Sequence, residues 1–303
     1  MPQPSDIVAL RSGETVLEVS PVAGGSITRY ATTGSNRAYE WMRPATEAAV
    51  AARSAGQTAS FPMVPFSNRI RNGRFRFNGR MVQLEELFGR EPHAIHGHGW
   101  RAPWSEIDRS SDRLTIAYRH AADSWPWPYL AEQTFELQDP VLRVRFSVTN
   151  ESAEPMPVGF GLHPYYLRTP NVRLYAEVGR MWRADENAMP SELVSPPPQL
   201  APSASGLSPD ASVLDNNFLG FGGTYRIEWP EWDAGLLVEA DPIYSCLVIY
   251  TPEEQRFFCA EPATNCIDAV NLAADGRTDT GLISLAAGDT AVGTVQFTPT
   301  VSR

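Results

Sequence analysis

Apolar and polar residues alternate with a period of two through much of this chain, and that pattern constrains the fold most. LTIAYRH (Leu114 to His120), AEQTFEL (Ala131 to Leu137) and VLRVRFSVTN (Val141 to Asn150) follow it, as do RFRFN (Arg74 to Asn78) and TVQFTPT (Thr294 to Thr300). Successive side chains of a strand point to opposite faces, so such runs read as half-buried antiparallel strands. Short runs bounded by Gly, Pro, Asn or Asp continue almost to the C-terminus. Helical periodicity is scarce. ATEAAVAAR (Ala45 to Arg53) could make a short helix, but its weak apolar moment and the SAGQTAS that follows favour a loop. PSELVSPPPQLAPSASGLSPDAS (Pro190 to Ser212) is too rich in proline for a central strand. It reads as a surface loop, because the strand pattern looks alike on both sides of it. The expected fold is all-β: one large antiparallel β-sandwich with little helix, in a single domain over residues 1–303.

Composition removes several function classes. The net charge is −10 over 303 residues and the pI is about 5.0, which argues against nucleic acid or an anionic membrane as partner. All 25 basic residues are arginine. Schiff-base chemistry, pyridoxal phosphate attachment and a phosphate-loop lysine all require the missing amine. The cysteines, Cys246, Cys259 and Cys266, are odd in number and form no CxxC pair, so a reducing, cytoplasmic setting is expected. MPQPSDIVAL lacks the pattern of a signal peptide, and no apolar run is long enough to span a membrane.

Five stretches carry chemistry. GFGLHPYYL (Gly159 to Leu167) and FFCAEPATN (Phe257 to Asn265) each place an ionisable residue directly before proline. The residue before proline is pushed into extended backbone, and proline cannot donate to a ladder. His163 and Glu261 are therefore expected at strand ends, at the rim of a sheet, where they could face one cleft. The competing reading is a packed histidine and an unrelated exposed glutamate. HAIHGHGW (His93 to Trp100) holds three of the five histidines. His-x-His can bind metal, but the next acid after His98 is Glu106, and the glycines suggest a tight turn near a ligand. FPMVPFSNRIRNGRF (Phe61 to Phe75) opens an arginine cluster running to Arg80. Arg74 and Arg76 fit an alternating strand, arginines outward, whereas Arg69 could project into a cleft as a fork of donors. SVLDNNF (Ser212 to Phe218) reads first as a turn, with Asp215 alternatively an acceptor for polyol hydroxyls.

In this order, FSNRIRNGRF, HAIHGHGW, GLHPYY, LDNNF and CAEPATNCIDAVN resemble the aldose 1-epimerase (mutarotase) family over roughly residues 60 to 271. The first is like its Asn-Arg-Ile segment followed by Gly-x-Phe, the second like its His-Gly segment with a tryptophan downstream, and the last like its Glu-Pro segment ending in Asp-Ala-x-Asn. The resemblance implies the galactose mutarotase-like supersandwich and assigns roles. Glu261 would be the general base on the anomeric hydroxyl and His163 the general acid at the ring oxygen. His96 would contact the sugar near that oxygen, and Arg69 and Asp215 would hold ring hydroxyls. His98 receives no role from it.

The chemistry that follows needs no metal or other cofactor. A base takes the C1 hydroxyl proton while an acid protonates the ring oxygen; the ring opens, C1–C2 rotates, and closure reverses the transfers. Each well-placed acid or base contributes about 10²–10⁴-fold. Glu261 is then expected ionised and His163 protonated, supported by a neighbouring carboxylate or a hydrogen bond on its other ring nitrogen. Among the nearby aromatics Trp100, Trp104, Tyr165, Tyr166, Phe218 and Tyr250, one could stack on the sugar. The expected partner is a monosaccharide, hexose or pentose, handled by a monomer or homodimer. Three rivals remain: a sugar-phosphate epimerase, a sugar-binding protein without catalysis, and a metal-dependent isomerase using His93, His96 and His98.

Overall fold

The computed structural model describes residues 6–34, 37–85, 92–201 and 204–301; residues 1–5 of the N-terminal decapeptide read above lie outside the described residues. Strand makes up 50% and helix 8%, which settles the all-β class. One sheet has eleven strands. Its hydrogen-bonded order is Val8–Ser12, Thr15–Ser20, Ser26–Thr33, Ser60–Met63, Gly161–Leu167, Phe257–Ala263, Cys246–Tyr250, Asp215–Leu219, Arg180–Ala184 and Pro190–Val194, with Ala38–Glu40 also pairing Ser26–Thr33. An eight-stranded sheet runs Ser105–Arg109, Arg113–His120, Tyr129–Gln138, Val141–Asn150, Thr290–Val301, Ala234–Ala240, Thr224–Trp229 and Arg173–Ala176.

The main core lies between these two sheets. Leu162, Tyr166, Phe218, Leu247, Ile249 and Phe258 of the first meet Phe135, Val144, Phe146, Ile227 and Phe297 of the second. Burying each such side chain contributes roughly 1.5–3 kcal/mol. A second cluster covers the opposite face of the eleven-stranded sheet and includes Phe61, Met63, Trp100, Tyr165, Trp182 and Cys259. Strands such as Cys246–Tyr250 and Phe257–Ala263 are thus buried on both faces. That is why they lack the alternation of the half-exposed strands.

Three local expectations are corrected. Glu47–Ala51 is a short helix (α1) rather than loop, because Thr46 caps it by accepting the Ala49 N–H at 3.1 Å. Asp215–Leu219 is an interior strand rather than a turn: its backbone pairs with Cys246–Tyr250 throughout. The Pro/Ser-rich stretch is not wholly loop, since Pro190–Val194 forms the last strand of the large sheet. Proline is tolerated there because an edge strand needs only one ladder.

Candidate functional site

The strand-end expectation for His163 and Glu261 is also corrected, and the reason is instructive. Both lie within interior strands, Gly161–Leu167 and Phe257–Ala263. Gly161 pairs with Ala263 and Tyr165 with Cys259, but the ladder between these strands is interrupted across the residues in between. Pro164 and Pro262 sit in that interval and have no N–H to contribute. His163 lies midway along one strand's interval and Glu261 midway along the other's, so the two stand opposite each other. The X-Pro dipeptides mark a defect in the middle of the sheet.

Cross-strand partners share a face. Asn217 pairs with Val248, Val248 with Glu261, and His163 with Phe61. The next row is Asp215, Tyr250, Cys259 and Tyr165. All of these residues but Asn217 and Cys259 line a cleft of about 310 Å³, a size typical of small-molecule sites. Its lining includes Arg69, His96, His163, Asp215, Tyr250 and Glu261. All five residues singled out in the sequence, Glu261, His163, Arg69, His96 and Asp215, are therefore brought together.

At the floor, His163 Nε2 and Glu261 Oε1 are 3.2 Å apart. Both side chains are buried, and Glu261 Oε2 meets no hydrogen-bond partner. Burial pushes the imidazole down to about 3 and the carboxyl well above its usual range; Asp215 raises Glu261 further and Arg69 lowers it. Burial thus disfavours charge on either group and favours a neutral imidazole beside a protonated carboxyl. This corrects the expectation of a standing imidazolium–carboxylate pair. The support expected for His163 comes from Glu261 at Nε2, with a backbone hydrogen bond of its own residue also raising its value against burial. Phe61 stacks on its ring at 4.4 Å and Tyr165 at 4.7 Å.

His96 reaches the cleft from the turn after the Ala94–Ile95 strand. It adopts φ 57°, and Gly97 follows at φ 66°. A Cβ at Gly97 would fall 2.2 Å from the Val64 carbonyl oxygen, so only glycine fits. His96 and Asn68 hold each other: the Asn68 N–H donates to His96 Nδ1 at 3.1 Å, and the His96 N–H donates to the Asn68 carbonyl at 2.9 Å. Burial, with His163 and Arg69 adding, holds His96 well below its usual value. Its ring is therefore neutral with the proton on Nε2, which leaves a donor on a residue that lines the cleft.

The segment carrying Arg69 is clamped from several sides. Asn265 Oδ1 accepts the Ser67 N–H at 3.0 Å. The Asp268 N–H donates to the Arg69 carbonyl at 2.8 Å, and Asp268 Oδ1 accepts the Arg71 N–H at 3.0 Å. His93 Nδ1 accepts the Asn72 N–H at 2.9 Å. Arg69 Nη1 in turn stands 3.7 Å from Asp215 Oδ2. Asn265 and Asp268 belong to the CAEPATNCIDAVN stretch, but their role as clamps was not read from the sequence. Nor were Phe61 and Asn68 singled out. The Asn before Arg was the available signal for Asn68, since asparagine tolerates the left-handed backbone it adopts at φ 59°.

The three histidines of HAIHGHGW go to three surroundings. His96 lines the cleft, His93 braces Asn72, and His98 stacks on His120 at 4.4 Å. Of the arginine cluster, only Arg69 lines the cleft; Arg71, Arg74 and Arg76 border a separate groove. Trp100, Tyr165 and Tyr250 line the cleft, whereas Trp104, Tyr166 and Phe218 pack in the main core. All three cysteines are free and buried. Among the described residues no helix is long and apolar enough to cross a membrane.

Sheet and cleft together define a β-sandwich protein with a carboxylate–imidazole pair at the base of a polar small-molecule site. The chain belongs to the aldose 1-epimerase family, whose profile matches residues 6–298. It is 31% identical to the uncharacterized protein YphB of Escherichia coli (strain K12) over 255 residues, 82% of this chain and 84% of that protein. A provisionally named aldose 1-epimerase of Escherichia coli K12 has a solved structure similar at TM-score 0.87 and 28% identity, covering 98% of this chain and 99% of that one. A galactose mutarotase-like protein from Clostridium acetobutylicum shares the fold at TM-score 0.85 and 17% identity, covering 98% and 95%.

Proposed function

We propose that the protein interconverts the α- and β-anomers of a free aldose by general acid–base ring opening and closure. The observation that carries this reading is the His163–Glu261 pair, 3.2 Å apart at the floor of the cleft, with Glu261 Oε2 unpartnered. Glu261 takes the proton of the anomeric hydroxyl and His163 supplies one to the ring oxygen. Those oxygens share one carbon, which suits two adjacent catalytic groups.

The single shared proton is enough. Moving it from Glu261 to Nε2 of His163 turns the resting pair into base and acid without exchange with solvent. The Arg69 charge favours ionised Glu261. His96 donates from Nε2 near the ring oxygen, and Arg69 and Asp215 hold ring hydroxyls as donor and acceptor. Proton inventory is conserved over the cycle, so neither redox chemistry nor a covalent adduct is required. A sugar phosphate would draw on the arginine cluster, since arginine pairs well with phosphate; of that cluster only Arg69 borders the cleft, and a carboxylate already stands near it.

The test is Glu261→Gln, followed by one-dimensional exchange NMR over several aldoses. Anomer exchange is expected to fall by at least about 10²-fold, while sugar binding stays measurable. Full activity in that variant would remove the base from its assigned role. Saturable binding by the wild-type protein with no acceleration of exchange would instead identify a sugar-binding protein.

A further inference from the structure

His163, Cys259 and Glu261 bring an imidazole nitrogen, a thiol sulfur and a carboxylate oxygen within 4.8 Å of one another, all three residues buried. The sheet register explains the grouping. Cys259 and Glu261 are two apart on one strand and so share a face, and His163 stands across the interrupted ladder from Glu261. We propose that this trio binds a thiophilic divalent cation such as Zn²⁺ or Cd²⁺, and that the bound cation blocks the cleft.

The donor set is the mixed nitrogen, sulfur and oxygen type that Zn²⁺ accepts. Bonds of about 2.0–2.3 Å in a tetrahedron separate ligand atoms by roughly 3.3–3.7 Å. The His163–Glu261 pair, at 3.2 Å, is already close to that spacing. A modest rotation of the Cys259 side chain supplies the third ligand. The cation replaces the proton shared by His163 and Glu261, and water or a sugar hydroxyl takes the fourth position on the open side. Binding displaces the proton of the His163–Glu261 pair, breaks the Cys259 S–H bond heterolytically, releases both protons to solvent and forms a sulfur–metal bond, with no change of oxidation state. Independent of the grouping, buried Glu261 Oε2 has no protein partner, a state that buried polar atoms rarely keep without a ligand or water.

The inhibition part rests on the proposed function; metal binding does not. The test titrates the full chain, stripped with a chelator, with Cd²⁺ alone, reading the thiolate-to-metal charge-transfer absorption. Zn²⁺ affinity follows by competition with a chromophoric chelator. One equivalent of Cd²⁺ is expected to produce the absorption in the wild-type protein and in Cys246→Ala and Cys266→Ala, but not in Cys259→Ala. Glu261→Gln, which keeps the thiol, is expected to weaken Zn²⁺ at least about tenfold and provides the second check should Cys259→Ala fail to fold. In anomer exchange, Zn²⁺ is expected to compete with sugar, reversibly with chelator. Absorption that survives Cys259→Ala, or that vanishes in Cys246→Ala or Cys266→Ala, overturns the proposal, as does Zn²⁺ affinity unchanged in Glu261→Gln. Metal binding at the trio in a protein that never accelerates exchange would uphold the site and refute the enzymatic reading.

Discussion

At the scale of single residues, burial decides more than identity does. His163 would titrate near 6.5 in water; surrounded by Phe61, Tyr165 and Glu261 it is pushed down to about 3, mainly by desolvation. Glu261 is pushed up for the same reason. The catalytic form in our reading is the pair with one proton. A second proton enters only when His163 accepts it, near its lowered value, so the acid limb of the rate lies well below 6.5. Exchange measured from pH 7 down to 5 should therefore show no acid-side decline centred near 6.5, and such a decline would mean that His163 titrates as an ordinary, solvated histidine. His-Pro and Glu-Pro single out both residues in the sequence, but only the family resemblance joins them as a pair. Their protonation was not legible there, because it depends on which distant strands cover them.

At the scale of elements, the site is built where regular pairing fails. Pro164 and Pro262 were read as strand terminators, a sound inference for an isolated strand. Placed in register on neighbouring strands, they instead open the ladder at the middle of the sheet. Asp215-Asn216-Asn217 was read as a turn from composition, yet tertiary pairing holds these poor strand formers extended. Such conflict between local preference and fold is expected at functional positions. The clamp on the Arg69 segment gives a prediction at this scale. Asp268 accepts the Arg71 N–H at 3.0 Å and Asn271 Nδ2 at 2.8 Å. Asp268→Ala should cost about 1.5–3 kcal/mol in denaturant unfolding. It should also lower kcat/KM by up to about 10²-fold, chiefly through KM, as Arg69 loses its position. Asp268→Asn, which keeps one acceptor, should recover part of both. A melting change with unaltered KM would show that the clamp serves stability alone.

At the scale of the whole molecule, the two sheets are tied by more than apolar contact. The Tyr225 hydroxyl, from the eight-stranded sheet, donates to the Ala260 carbonyl at 3.0 Å and meets the Tyr166 hydroxyl, both in the eleven-stranded sheet. Tyr225→Phe leaves these buried groups short of a partner and should cost about 1–3 kcal/mol, read as a lower denaturant midpoint. Exchange at saturating sugar should hardly change, because Tyr225 lies on the core side; a large loss of kcat would reveal coupling across the sheet. The sandwich itself was legible, since period-two alternation reports directly which strands have one wet face. The partnership of remote tyrosines was not, as nothing local specifies it. One further consequence follows from the way adjacent residues of the central strands serve opposite faces. Asp215, Asn217, Val248 and Tyr250 line or border the ligand side, while Phe218, Leu247 and Ile249 anchor the sandwich. Combinatorial libraries confined to the first group could explore new ligand preferences on an unaltered scaffold, so evolvability and robustness are allotted to alternate letters of the same short segments.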